Sequence, residues 1–263
     1  MQRNVRANLT FEASGDAKGF FAVGVASGYQ ATERFEITQG GKSLPFEVVP
    51  DLHGGRLHVA RFAKGLVEAE YSATVEGIGS AEAVSELDEA TYQRPSRYCE
   101  SDSLMPTAIA HFGELQGEAL VVAVGAWVRQ ELEYVPGSSL STDGAVRTLL
   151  ARRGVCRDYA HLVVSMLRAL DVPARVASVY APGLSPMDFH AVAEAAVDGT
   201  WRVVDATGHA PRDSMVRIAS GRDAADIAFL STHGDPIELL DLTVTAVVDS
   251  LPTDDPQALT VLQ

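Results

Sequence analysis

The chain has 263 residues, 46% of them hydrophobic, and a formal net charge of −14. That length suits one large domain or two modest ones around a packed core. The acidic balance, with only three lysines (Lys18, Lys42, Lys64) and no basic run, argues against a nucleic-acid or anionic-membrane partner. The opening residues lack the basic-then-apolar pattern of a secretion signal, and apolar stretches such as Leu120–Val124 fall short of a membrane span. A soluble, cytoplasmic protein with reduced thiols is expected. Its two cysteines, Cys99 and Cys156, lie outside any CxxC and fit neither a disulfide framework nor zinc spacing.

Residues 1–90 read as short strands. Apolar and polar residues alternate in Phe35–Thr38, Leu57–Phe62 and Val67–Val75, and Gly40-Gly41 suits a hairpin turn because both residues accept positive φ. Strands broken by Gly and Pro indicate an antiparallel sandwich or barrel. After Glu89 the pattern changes. Tyr92–Tyr98 reads as an extended connector, and Glu118–Tyr134 as a helix with Leu120, Val124, Trp127, Val128 and Leu132 on one face. Ser141–Asp143 can cap a short helix carrying Val146, Leu149 and Leu150, which Arg152-Arg153-Gly154 closes with cations and a glycine. A further helix runs from about Cys156 to Leu170 and stops at Asp171-Val172-Pro173. Strands follow at Arg175–Tyr180, Phe189–Val197 and Trp201–Ala206, with Asp198-Gly199 as a hairpin turn. A short helix is expected around Asp223–Ala228, a last strand at Glu238–Val248, and a frayed acidic tail from Pro252. The class is α+β.

Three of these residues form a chemical pattern. Gly154-Val155-Cys156 sets a thiol at a helix start, where unpaired N–H groups favour the thiolate. A two- or four-residue turn at Asp198-Gly199 pairs positions that sum to 397. His190 then faces Thr207, Val192 faces Asp205, and His190 and Asp205 are diagonal neighbours about 7–8 Å apart on one sheet face. An aspartate holding one imidazole nitrogen leaves the other for the thiol.

The runs Gly154–Leu162, Leu167–Arg175, Phe189–Ala191 and Gly199–Thr207 resemble the core of the transglutaminase-like superfamily, in its bacterial cysteine-protease branch. The likeness is dense over about residues 140–210 and looser through Arg94–Tyr98 and Gly221–Asp223. Residues 1–90 resemble the β-sandwich that precedes this core in many bacterial members. The resemblance implies an N-terminal β-sandwich (1–90) and a papain-like, transglutaminase-like domain with a C-terminal extension (91–263), its helices packed on an antiparallel sheet. It also implies a triad: Cys156 attacks an amide carbonyl, His190 shuttles the proton, Asp205 orients His190, and a thioester acyl-enzyme forms. Peptide or amide hydrolysis is expected over cross-linking, with a peptide or protein as substrate. The alternative is a binding or scaffold protein with a relic site.

The Cys156 N–H should be one oxyanion donor. Animal transglutaminases draw a second from an aromatic side chain just before the helix preceding the nucleophile; here that stretch is Leu140-Ser141-Thr142, and Tyr134 is the substitute. Calcium dependence belongs to the animal enzymes, and no loop of clustered acids occurs here, so no metal or other cofactor is expected. Tyr159, at i+3 from Cys156, either lines the cleft or packs. His161 points about 140° away from Cys156 and reads as structural, Asp158 as a cap or arginine partner, and Trp127 as core. Cys99 reads as incidental, His209 as a solvated loop residue, and Arg217 and Arg222 as structural ion pairs. Oligomeric state is left open.

Overall fold

The computed structural model describes residues 1–262. Residues 1–76 form β1 (Gln2–Ala13), β2 (Ala17–Phe21), β3 (Gln30–Gln39), β4 (Lys42–Ser43), β5 (Phe46–Pro50), β6 (Arg56–Phe62) and β7 (Gly65–Glu76). Strict alternation makes β1, β2 and β7 half-buried. In β1, Val5, Ala7, Leu9, Phe11 and Ala13 point inward, and Leu9 and Phe11 lie opposite Ala69 and Val67 of β7. Gly40 and Gly41 take φ of 57° and 74° and turn β3 into β4.

The chain continues through α1 (Glu86–Tyr92), α2 (Ser101–Phe112), α3 (Gly117–Glu131), β8 (Glu133–Tyr134), α4 (Ala145–Ala151), β9 (Arg153–Gly154) and α5 (Cys156–Arg168). It then forms β10 (Ala174–Tyr180), β11 (Phe189–Val197), β12 (Thr200–Val204), β13 (Val216–Gly221), β14 (Leu230–Gly234) and β15 (Ile237–Val248). One sheet has the order β15-β1-β7-β3-β4 and a second β14-β2-β6-β5. They face each other: Phe11 of β1 meets Phe62 of β6 edge-on at 5.1 Å and Phe21 of β2 at 6.1 Å. A third sheet, β12-β11-β10-β13, carries α5. Every residue of α5 from Asp158 to Arg168 is buried, because α2, α3 and α4 pack on the sides the sheet leaves open.

The two C-terminal strands return to the first half. β14 pairs with β2 and β15 with β1, so they complete the sandwich across the boundary expected near residue 90. The seam is sealed by Tyr71 stacked on Tyr180 (6.3 Å, 13°), whose hydroxyl donates to the Val23 carbonyl.

Several local expectations are corrected. Helix α1 takes the end of the region read as strands, started by Ser85 and Asp88, each capping the other's backbone N–H, and α2 fills a stretch where no element was expected. Helix α3 ends at Glu131, since Glu133 and Val135 donate to the carbonyls of Arg152 and Gly154 and draw Glu133–Tyr134 into a parallel pair with β9. The left-handed residue closing α4 is Arg152 (φ 56°), not Gly154. Residues 222–228 are turns rather than a helix. The tail is held: Arg212 forks onto Asp254, Thr260 bridges Val203, and Leu262 is buried.

Candidate active site

Cys156 is the first residue of α5 and is half-buried. Its turn is fixed by Asp158, whose carboxylate accepts the Val155 N–H at 2.8 Å and an Arg157 N–H at 3.0 Å. Gly154 is required by this fold-back, because a Cβ there would stand 2.6 Å from the Asp158 Cβ. The positive end of α5 faces the thiol.

The hairpin supplies the other two residues. Asp198 and Gly199 take φ of 50° and 72°, and the ladder runs Val197↔Thr200 through Ala193↔Val204, the register that sums to 397. Just past its open end, His190 Nε2 lies 2.9 Å from Asp205 Oδ2. Cys156 and His190 line the same cavity. Burial alone would lower the His190 pKa, but the Asp205 carboxylate and then Cys156 more than offset it, and the imidazole is held above its ordinary value. Burial would likewise raise Asp205; the His190 charge and bonds from His190 and Thr207 hold it below the usual carboxylate range.

Sequence reasoning missed Thr207. Its N–H and hydroxyl donate to Asp205 Oδ1 at 2.9 and 2.7 Å, so Asp205 has no rotational freedom left. The signal was present as Asp-x-Thr, a pairing that commonly closes an Asx turn. His209 is an exposed loop residue, as expected, and its ring also meets the Tyr134 ring edge-on at 4.4 Å. The β8–β9 pairing sets Tyr134 opposite Gly154, two residues before Cys156. Tyr159 does not line the cleft: it is buried and its hydroxyl donates to the Leu132 carbonyl at 2.8 Å.

The remaining residues are structural. His161 is buried, stacks on Tyr98 at 5.4 Å and accepts the Ala224 N–H, and burial pushes it down to about 4. Burial pushes the Cys99 thiol up to about 12, leaving it a poor nucleophile. Arg217 pairs with buried Glu194, and Arg222 with Asp226 on the surface. Trp127 packs edge-on against Phe112. Among the described residues no three His, Cys, Asp or Glu side chains group as metal ligands, and no helix is long and apolar enough to cross a membrane.

Cys156 and His190 open into a cleft of about 690 Å³ whose walls include Phe189, Ile227, Phe229 and Leu242. A thiol at a helix start, an imidazole held by a carboxylate, and a cavity therefore meet at one place.

Residues 109–206 match the family model described as the transglutaminase-like superfamily. The chain is similar along its whole length to a crystal structure of a candidate cysteine protease from Cytophaga hutchinsonii, with 30% identity, a TM-score of 0.86, and coverage of 100% of this chain and 96% of that one. An uncharacterized Mycobacterium leprae protein is 30% identical over 119 residues, a match spanning 41% of this chain and 42% of that curated relative.

Proposed function

Because the chain belongs to the transglutaminase-like superfamily, a family of thiol-dependent enzymes, we propose that it transfers the acyl group of a peptide amide to water through a Cys156–His190–Asp205 triad. The observation that carries this reading is the His190 imidazole, bonded to Asp205 through Nε2 and lining one cavity with the Cys156 thiol. Cys156 Sγ attacks the amide carbon, and the carbonyl oxygen becomes an oxyanion facing the Cys156 N–H and the Tyr134 hydroxyl. The C–N bond then breaks as His190 gives its proton to the leaving amine, and a thioester remains. Water enters, His190 takes a proton from it, and the new C–O bond releases the acid and restores the thiol.

Several features support hydrolysis by an active enzyme over a relic site. The cleft is open, His190 is bonded to Asp205 beside it, and the full-length similarity is to a candidate protease. The test is acylation by p-nitrophenyl acetate with mass spectrometry, with and without added glycinamide. The expected result is an acetyl group on Cys156, absent in Cys156→Ala, that passes mainly to water. No acyl group on Cys156 would remove the triad reading. Transfer mainly to glycinamide would replace hydrolysis with transamidation.

A further inference from the structure

The cleft beside Cys156 has features the triad does not use. Its floor includes Ser178 of β10, which is 92% buried and whose hydroxyl has no hydrogen-bond partner. A buried hydroxyl without a partner is uncommon, and one lining a cavity is available to a ligand as donor and acceptor. One wall is aromatic, with Phe189 and Phe229 stacked at 5.3 Å and 20°. The facing wall comes from the sandwich: Ala22 just after β2, Ser231 on β14 and Leu242 on β15 all line the cavity. These strands are the ones the C-terminal segment adds to the first half, so the return of the chain builds part of the cleft.

The charges at the cleft are already engaged. Arg157 bonds Asp158 at 3.0 Å along with Ser139 and the Leu140 carbonyl, and its charge is balanced by that carboxylate. Asp188 accepts the Phe189 N–H at 2.7 Å. A charged substrate side chain lying against the stacked phenylalanines would lose water that this apolar wall does not replace. A neutral one would lose little and bury apolar area.

Resting on the reading of Cys156 as an acyl-transfer nucleophile, we propose that this cleft is a specificity pocket for an uncharged, mainly apolar side chain ending in a hydrogen-bonding group, tyrosine being the type. Ser178 meets the polar tip, Phe189 and Phe229 hold the body, and the β-sandwich supplies the opposing wall through Leu242.

The test needs no turnover. Blocked peptides acetyl-Ala-X-Ala-amide, with X as Tyr, Phe, Lys or Glu, are titrated against the rate of iodoacetamide labelling at Cys156. The Tyr peptide should protect about tenfold better than Phe, the worth of one neutral hydrogen bond to an otherwise unpaired hydroxyl. Lys and Glu should protect least. Ser178→Ala should erase the Tyr-over-Phe difference, read as the ratio of the two peptides' protection within the variant. Leu242→Asp, at a half-buried edge position that tolerates change, should weaken both aromatic peptides about tenfold. Equal protection by Tyr and Phe, better protection by Lys or Glu, or indifference to Leu242→Asp overturns the pocket while Cys156 labelling still stands. If Cys156 labels no faster than Cys99 without peptide, the nucleophile reading falls first and takes the pocket with it.

Discussion

His190 Nε2 and Asp205 Oδ2 stand 2.9 Å apart with both side chains almost sealed from solvent, and Thr207 closes the second carboxylate oxygen. The imidazole therefore keeps its proton above the ordinary histidine range, while Asp205 stays ionised below the usual carboxylate range. Leaving-group protonation needs the charged imidazole, so the alkaline limb of kcat/KM should lie well above the free-histidine value of about 6.5. In Asp205→Asn it should fall back toward that value. A wild-type limb near 6.5 would contradict the coupling.

The same pair contributes to stability with a definite sign. The raised His190 value makes its contribution full below the ordinary histidine pKa and lost as pH climbs through the raised one. The lowered Asp205 value makes its contribution full above the ordinary aspartate pKa and lost as pH falls through the depressed one. Denaturant titrations should therefore show the largest penalty for Asp205→Asn near neutral pH, shrinking toward both extremes. A penalty flat across pH would show that the pair is not ionic.

The second oxyanion donor is separable from the triad. Tyr134→Phe removes one hydroxyl and should lower kcat about 10²-fold or more with little change in KM, as loss of a single oxyanion donor does elsewhere. Iodoacetamide labelling of Cys156 forms no oxyanion and should be unchanged. His209, packed on the Tyr134 ring, positions it; His209→Ala should cost less than Tyr134→Phe, and nothing further in the Tyr134→Phe background. Fully additive losses would sink that link.

Two ion pairs with the same formal charges should differ in worth. Glu194 is fully buried between Arg175 and Arg217, and Arg175 also lies 4.0 Å over the Trp201 ring. Glu194→Ala leaves two buried cations to share the partly exposed Glu82 and should destabilise by about 3–5 kcal/mol. Arg222 is more than half exposed, and Arg222→Ala should cost under about 1 kcal/mol. Chemical denaturation of both variants checks the contrast.

The triad was legible because its geometry is local and periodic. A helix start at Cys156 and a two-residue turn at Asp198-Gly199 fix where three side chains go, and the register does the rest. What escaped notice depends on partners distant in sequence. Tyr134 was named, but the two-residue parallel pairing with β9 that sets it opposite Gly154 is too short to leave any alternation in the sequence. Residues 223–228 have helical composition, yet Asp223 and Asp226 spend their carboxylates on the Ala225 and Arg222 N–H groups and hold turns instead. Strand β15 was visible, but that it would pair with β1, more than 220 residues away, was not. His209 was legible as a loop residue, but its contact with Tyr134 was not, because only the fold brings the two together.

The central claim is that Cys156 is a nucleophile activated by His190, and differential alkylation tests it most directly. At near-neutral pH, limiting iodoacetamide followed by peptide mass spectrometry should label Cys156 rapidly and buried Cys99 hardly at all. His190→Ala should slow Cys156 labelling by at least about tenfold. Equal, slow labelling of both thiols, or a Cys156 rate untouched by His190→Ala, would contradict it.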